Sequence, residues 1–217
     1  MPNVATYPTT TVYSTENRRI YRDDLSEQFE LRNFNLDEYH QLIDIGFFKT
    51  EDRVELLEGL LIKMSPIRPA HANTVDRLMN LFIEQLGRQV QIRVQQPVTL
   101  VGMESEPEPD IVLAQRKPYE DHHPNASEIS LLIEVSDTTL AKDRGLKAQI
   151  YATESIQEYW IVNLMDRTIE VHRNPRILAD GHGTYFSKQF FDEQKSVTPL
   201  AFPDCMIDVS EVLPRQR

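Results

Sequence analysis

The run Leu131-Leu-Ile-Glu-Val-Ser constrains this chain more than any other stretch. It is far shorter than the roughly 18 apolar residues of a membrane helix. A short, near-continuous apolar run of this kind marks a central strand covered on both faces. Glu134 lies inside it, between Ile133 and Val135. A carboxylate there costs several kcal/mol unless it is paired or bound to metal. Three readings follow. Glu134 does chemistry, or it pairs with an arginine for structure, or its strand is an edge and it points to solvent.

The surrounding pattern supplies the layers around such a strand. Val75, Leu78, Met79, Phe82, Ile83 and Leu86 recur at helical spacing, which predicts a core-packing helix over His71 to Gly87. Another helix is predicted from Thr139 or Leu140 to about Thr153. A first helix, capped by Asn35 and stopped at Gly46, carries Leu36, Tyr39, Leu42 and Ile43 on one face. Val54 to Leu57 and Leu60 to Met64 read as paired strands turning at Glu58-Gly59. Further strands are predicted at Gln91 to Leu100, from Asp110 to Ala114, at Glu158 to Leu164 and at Thr168 to Arg173, with Trp160 in the core. From Tyr185 to Val212 the pattern gives only short strands and a final turn, limited by Pro199 and Pro203. There is no internal repeat. This order predicts an α/β or α+β sheet with a helix on each face.

A length of 217 residues suits one domain with a loose end. Residues 1–30 are rich in Thr, Tyr, Asn and charge without a sustained period, so a flexible N-terminal arm is expected there and the domain over 31–217. A hydrophobic content of 40% is enough for a buried core. The single cysteine, Cys205, excludes a disulfide framework and a multi-cysteine zinc site. Without an oxidative scaffold, an apolar leader or a membrane-length run, a cytoplasmic protein with no membrane contact is expected. The charge of −11, from 34 acidic and 23 basic residues, weighs against a nucleic-acid partner, because phosphate contacts need local Lys and Arg. A small basic surface can still sit on an acidic protein.

Two more residues join Glu134 as candidates for chemistry. Asp110 follows Pro109 at the mouth of a strand, and Lys147 sits on the helix after the Glu134 strand. Each has an ordinary explanation: a turn aspartate after proline, and a solvated i,i+4 partner for Asp143. Together they make chemical sense. Two carboxylates on adjacent strands can hold Mg²⁺, with Mn²⁺ as a substitute, since such ions favour oxygen ligands. The metal lowers the pKa of a bound water and neutralises a phosphate oxygen. A lysine nearby orients that water or stabilises charge at phosphorus. There is no Gly-rich phosphate loop or nucleophile elbow, which disfavours nucleotide-driven and acyl-transfer chemistry. Around this set, His71 is either structural or a phosphate contact, Gln96 is a candidate lining residue, and Tyr151 is placed to pack on the Lys147 stem. His122 and His123 read as solvated loop residues.

Asp110, Glu134 and a following basic residue resemble the motif of the PD-(D/E)XK nuclease superfamily. Pro109-Asp110 matches its first half. Ser136 stands where the second half has lysine, and Lys147 on the following helix is the natural replacement. More specifically, the chain resembles the Uma-type restriction endonucleases of bacteria over roughly residues 33–213. The matching stretches are Val54-Glu-Leu-Leu-Glu-Gly-Leu-Leu-Ile-Lys-Met-Ser-Pro, His71 opening the long helix, and Glu108-Pro-Asp-Ile-Val. They continue with Leu132-Ile-Glu-Val-Ser, Asp143-Arg-Gly-Leu-Lys-Ala-Gln-Ile-Tyr and Glu158-Tyr-Trp-Ile-Val.

The resemblance implies a restriction-endonuclease-like core, a mixed central sheet flanked by helices. It implies Asp110 and Glu134 as metal ligands, the Val135 carbonyl as a third oxygen, Lys147 as catalytic base or charge stabiliser, and Glu55 within the catalytic site. It also implies a homodimer. The expected activity is Mg²⁺-dependent endonuclease hydrolysis of phosphodiester bonds, with DNA as the expected substrate and RNA open. The alternative is a nuclease-fold interaction module with weak or lost turnover, favoured by the −11 charge and the missing strand lysine. Cleavage independent of Lys147 would point to Lys142 as the working base. Sequence specificity would have to come from the loop at 115–127 or from the arm.

Overall fold

The computed structural model describes the backbone of residues 11–13 and 19–21 and all atoms of residues 32–49 and 51–215. Strands β1 (Thr11–Tyr13) and β2 (Arg19–Tyr21) pair antiparallel. The rest of the arm expected over 1–30 lies outside the described residues. Next come helix α1 (Leu36–Asp44), strands β3 (Val54–Leu57) and β4 (Leu60–Lys63), helix α2 (Pro69–Leu86), and strands β5 (Gln91–Val94), β6 (Ile111–Ala114) and β7 (Ile129–Ser136). A crossover of α3 (Leu140–Lys142), a π-helical turn (Asp143–Lys147) and α4 (Ala148–Thr153) leads to β8 (Glu158–Asn163). The chain closes with β9 (Thr168–Ile177), β10 (Gly183–Phe191), β11 (Ser196–Val197), β12 (Ile207–Asp208) and α5 (Val209–Val212).

The central sheet runs β10-β9-β8-β7-β6-β5. Only β7 and β8 are parallel, and the other pairs are antiparallel. A parallel pair needs a crossover, and here the crossover puts α4 on one face. The period-2 alternation of strands sorts side chains between the faces. Ile111, Leu113, Leu131, Ile133, Val135, Trp160 and Val162 pack with Val75, Leu78, Phe82 and Leu86 of α2. Val112, Ala114, Leu132, Tyr159 and Ile161 pack with Ile150 and Tyr151 of α4. Both faces of β7 are therefore covered, which is why its sequence is apolar nearly throughout. Glu134 has the parity of Leu132, so it points towards α4. The sheet is mixed and flanked by helices, as expected.

Hairpin β3–β4 stands apart from this sheet, and Leu56 bridges to Glu106 in the segment that leads into β6. Its turn residues, Glu58 and Gly59, have φ of 48° and 75°. Two consecutive positive φ values are those of a type I′ turn. A Cβ on Gly59 would sit 2.6 Å from Asn33 Cβ and 2.8 Å from the Phe34 carbonyl, so glycine is required twice over. Alternation sends Leu56 to Leu36 and Tyr39 of α1, whose N-terminus Asn35 closes with a capping box. It sends Leu57 into the core on the α4 side, and Glu55, of the same parity, points with it.

Four expectations are corrected. Ile43 and Ile83, placed on apolar faces, are exposed, the first at the uncovered C-terminal end of its helix and the second at the margin of its stripe. The strand from Gln91 ends at Val94, because Gln95 adopts φ 49° and turns the chain. The helix at 139–153 is interrupted by its π turn. The tail holds a long strand, β10, where short ones were expected. As an edge strand β10 buries mainly Gly183 and Tyr185, so it shows little apolar alternation. Gly183 lies against α4, where a Cβ would come within 2.1 Å of the Thr153 nitrogen. Among the described residues no helix is long and apolar enough to cross a membrane.

Candidate active site

The site forms where the ends of β6 and β7 meet the crossover and hairpin β3–β4. Asp110 stands just before β6. Strand β6 pairs with β7 only from Ile111, opposite Ile133, so the Val135 N–H is left without a strand partner on that side. It donates instead to Asp110 Oδ2 at 2.8 Å. His71, in the first turn of α2, approaches the same oxygen through Nε2 at 3.1 Å, and Gln95 Nε2 donates to Oδ1 at 3.1 Å. The left-handed backbone at Gln95 places its side chain at the carboxylate. Gln96, the residue expected here, is exposed and does not line the cleft. Burial opposes ionisation of Asp110, but the bonds from His71, Val135 and Gln95 outweigh it and hold the carboxyl below its usual range. His71 is raised in turn, its contact with Asp110 overcoming the effect of burial.

Glu134 and Lys147 meet on the α4 side of the sheet. Lys147 Nζ donates to Glu134 Oε1 at 2.8 Å and lies 3.0 Å from Glu55 Oε2. Lys142 Nζ donates to Glu55 Oε1 at 2.7 Å, and Tyr151 donates its hydroxyl to Glu134 Oε1 at 2.9 Å. The result is a buried chain of alternating amines and carboxyls, Lys142, Glu55, Lys147, Glu134, closed by a tyrosine. The reading of Lys147 as a solvated partner of Asp143 is thereby corrected. Both residues are 2% exposed, and Asp143 instead accepts hydroxyl bonds from Ser136 and Thr139. The Asp143 carbonyl, which accepts the π-turn bond from the Ala148 N–H, also takes the Tyr159 hydroxyl at 3.2 Å. Such turns are frequent at functional sites.

The electrostatics differ sharply among the carboxylates. Burial pushes Glu134 up to about 8, with Asp143, Asp110 and Glu55 adding to it against the pull of Lys147. Glu55 is held low by Lys147 and Lys142 in spite of burial. Burial would lower Lys147, but Glu134 and Glu55 outweigh it and keep the amine well above the usual lysine range. Asp110, Glu134 and Lys147 form the floor of a cleft of about 620 Å³, open mouth included, with His71, Gln95 and Lys142 on its walls. Arg53, Ser65, Pro66, Ile67, Arg68 and Thr138 line it nearer the surface.

Among the described residues no group of three or more His, Cys, Asp or Glu side chains is arranged to hold a metal ion alone. The donor set nevertheless suits a hard divalent cation. Nothing described hydrogen-bonds Glu134 Oε2, and Asp110 Oδ1, with room for two partners, takes only Gln95. Mg²⁺ commonly uses one or two carboxylates and keeps several waters. Glu55 is a poorer donor, because both its oxygens already face lysines.

Sequence reasoning thus named Asp110, Glu134, Lys147 and Glu55, and all four lie at this one cleft or, for Glu55, directly behind its lysines. It missed Gln95, one residue before the Gln96 that it named beside Pro97. It also missed the Tyr151 hydrogen bond, although the spacing of Tyr151 from Lys147 on one helix face was visible. His123, read as solvated, is half-buried and accepts a bond from Arg93 at 3.2 Å.

Comparison with known proteins follows the same lines. No curated protein matches the chain. Among solved structures, one described as a "putative nuclease belonging to DUF820" from Anabaena variabilis superposes with a TM-score of 0.61 at 18% identity. The match covers 82% of this chain and 97% of that one, and at this identity the likeness is one of fold. The model for Uma2, described as "Putative restriction endonuclease", matches residues 36–210. That span holds the whole sheet and every residue of the cleft, and the chain belongs to the Uma2 family.

Proposed function

We propose that this protein is a metal-dependent endonuclease that hydrolyses phosphodiester bonds in nucleic acid, with Asp110 and Glu134 as metal ligands and Lys147 as the catalytic cation. The observation that carries the reading is the convergence of these three residues, from β6, β7 and the crossover, on the floor of one cleft. The backbone carbonyl of Val135 is the third protein oxygen in this proposal, and Mg²⁺, or Mn²⁺ in its place, the metal. When bound, the ion supplies neutralisation of a phosphate oxygen and a lowered pKa for water.

The chain's own residues do the rest. His71, Gln95 and the Val135 N–H hold Asp110 ionised and fixed in direction. Lys147 is held well above the usual lysine range, which favours a role in stabilising charge at phosphorus over that of a base. Glu55 and Lys142 keep that ammonium in place. Glu134 gives up its proton before it can ligate, so metal binding in this scheme releases a proton. DNA is the proposed substrate and a homodimer the proposed assembly, both on family grounds.

The test is cleavage of plasmid DNA, single-stranded DNA and RNA in Mg²⁺ or Mn²⁺, beside an EDTA control and the Lys147→Met variant. Metal-dependent cleavage that is lost in the folded variant is the expected result. If the folded wild type cuts no substrate under any metal, the alternative of an interaction module without turnover takes its place.

A further inference from the structure

We infer that the cleft takes an unpaired nucleic-acid strand, entering between Arg53 and Arg68, rather than a duplex. The inference rests on the nuclease reading above for the choice of ligand, and three observations within the molecule carry it.

The first is depth. Asp110, Glu134 and Lys147 are only 7%, 5% and 2% exposed, while the side chains of Arg53 and Arg68 at the mouth are 39% and 64% exposed. The reacting phosphate must therefore descend past the mouth to reach the floor. Much of the cleft's roughly 620 Å³ is open mouth, so little space is enclosed above the floor. An unpaired chain, free to bend at each linkage, can bring one phosphate down into it. A duplex, with its two backbones fixed around stacked pairs, cannot lower one phosphate into such a space without unpairing or reshaping it.

The second is charge. Binding a duplex draws on many phosphate contacts across a broad basic face. Around this cleft the cations are Arg53, Arg68, Lys142 and the buried Lys147, on a chain of net charge −11. Two of them are loosely held: Arg53 lies 4.0 Å from Glu108, and Arg68 lies 3.4 Å from Asp137. A phosphate can displace either carboxylate. This is enough for a few consecutive phosphates and too little for a duplex footprint.

The third is an apolar stretch of the wall, next to Arg68 in the chain. Met64, Pro66 and Ile67 line the cleft, with Pro66 and Ile67 exposed. An apolar wall beside a cationic rim is what an unpaired base can rest on. In a duplex the faces of the bases are stacked away and cannot use it.

The experiment measures binding and cutting separately. Fluorescein-labelled oligonucleotides of one sequence are offered as unpaired DNA, unpaired RNA and blunt duplex. Anisotropy is read in Ca²⁺, and cleavage in Mn²⁺. We expect unpaired strands to bind and be cut about 10-fold or more better than duplex, with a log–log salt slope of about −1.5 to −2 for two or three phosphates. Arg53→Ala combined with Arg68→Ala, both at partly or fully exposed positions, is expected to weaken unpaired binding and flatten that slope by about 1.4. Duplex bound and cut as well as single strands overturns the inference and leaves the nuclease reading standing. Selective binding of unpaired strands with no cutting of anything does the reverse. Equal binding, or no binding to any strand, overturns the inference. The DNA and RNA arms decide which sugar the cleft accepts.

Discussion

Two buried carboxylates in the central sheet, Glu134 on β7 and Glu170 on β9, meet opposite fates. Both are nearly inaccessible, at 5% and 1% exposure. Glu170 is saturated. Arg144 grips it with Nε at 3.1 and 3.0 Å and a terminal nitrogen at 2.6 Å, and Asn163 adds a bond at 3.1 Å. Its carboxyl falls to about 2, because the contacts from His172, Arg144 and Asn163 overcome burial. Glu134 has one oxygen shared by Lys147 and Tyr151, another with no hydrogen bond, and three further acidic groups raising it beside the effect of burial. Its carboxyl rises to about 8. One sheet therefore carries a carboxylate whose charge is fully matched and one whose charge is left under-matched beside a cleft. The difference separates a structural ion pair from a group held ready for a ligand, since strongly perturbed acids cluster where function needs them.

The largest expected effect tests that division directly. Glu134→Gln should reduce metal-dependent cleavage by about 10³-fold, the equivalent of several kcal/mol of lost charge stabilisation. The same variant should change metal-free stability at pH 7 by no more than about 1 kcal/mol, because the amide resembles the protonated acid already present. Glu170→Gln should do the opposite. Breaking a buried pair costs about 3–5 kcal/mol, and partial exposure of Arg144 brings that to about 2–3, or a Tm lower by about 4–12 °C, with activity kept by the folded protein. Melting curves and cleavage rates of the two variants decide it. Equal destabilisation by both would make Glu134 structural.

The pH dependence of stability should carry the same signature. A carboxyl raised from 4.5 to about 8 keeps in the native state a proton the unfolded chain has lost. Its contribution to stability is full below pH 4.5 and is lost as the pH rises towards 8. For Glu170, lowered to about 2, the contribution is present above pH 4.5 and is lost as pH falls towards 2. Melting temperatures of the metal-free protein across this range should therefore decline on the alkaline side, and Glu134→Gln should flatten that side alone. A decline that survives the substitution would assign it to another group.

A smaller effect is expected behind the lysines. Glu55→Gln removes a charge that faces Lys142 at 2.7 Å and Lys147 at 3.0 Å. Supporting residues of this kind typically contribute about 10- to 100-fold. The loss should fall on kcat, with the apparent metal affinity nearly unchanged. A rise in the metal Kd as large as that of Asp110→Asn would make Glu55 a ligand after all.

The contrast between Glu134 and Glu170 was only half legible in the sequence. Glu134 stood out because its neighbours in Leu131-Leu-Ile-Glu-Val-Ser left no polar surroundings. Glu170, in Thr-Ile-Glu-Val-His, looks much the same locally, and its partners Arg144 and Asn163 come from the crossover and the end of β8. Local pattern shows that a charge is buried, whereas satisfaction depends on residues that only the sheet order brings together. The helices, the β3–β4 turn and the central strands were readable because their periods and turn residues are strong. Strand β10 was not, because an edge strand with exposed Phe186 and Phe190 has no clean alternation. Gln95 was displaced from Gln96 by one residue because a single left-handed φ reverses which side chain faces the cleft.

The smallest effect concerns Tyr151, whose spacing from Lys147 first suggested only packing. Its hydroxyl meets Glu134 Oε1 at 2.9 Å, on the oxygen that Lys147 also holds. Tyr151→Phe keeps the ring and removes that single bond, worth about 1 kcal/mol. A hydroxyl donating to the carboxylate favours the ionised form, so its removal should raise the pH midpoint of metal binding, by less than about one unit. Calorimetric titration of Mn²⁺ across pH reads the shift. A midpoint that falls instead would mean that protonated Glu134 donates to the tyrosine oxygen. The proton released on metal binding would then come from a bond that already points out of the cleft, and the under-matched carboxylate would be better satisfied than its geometry implies.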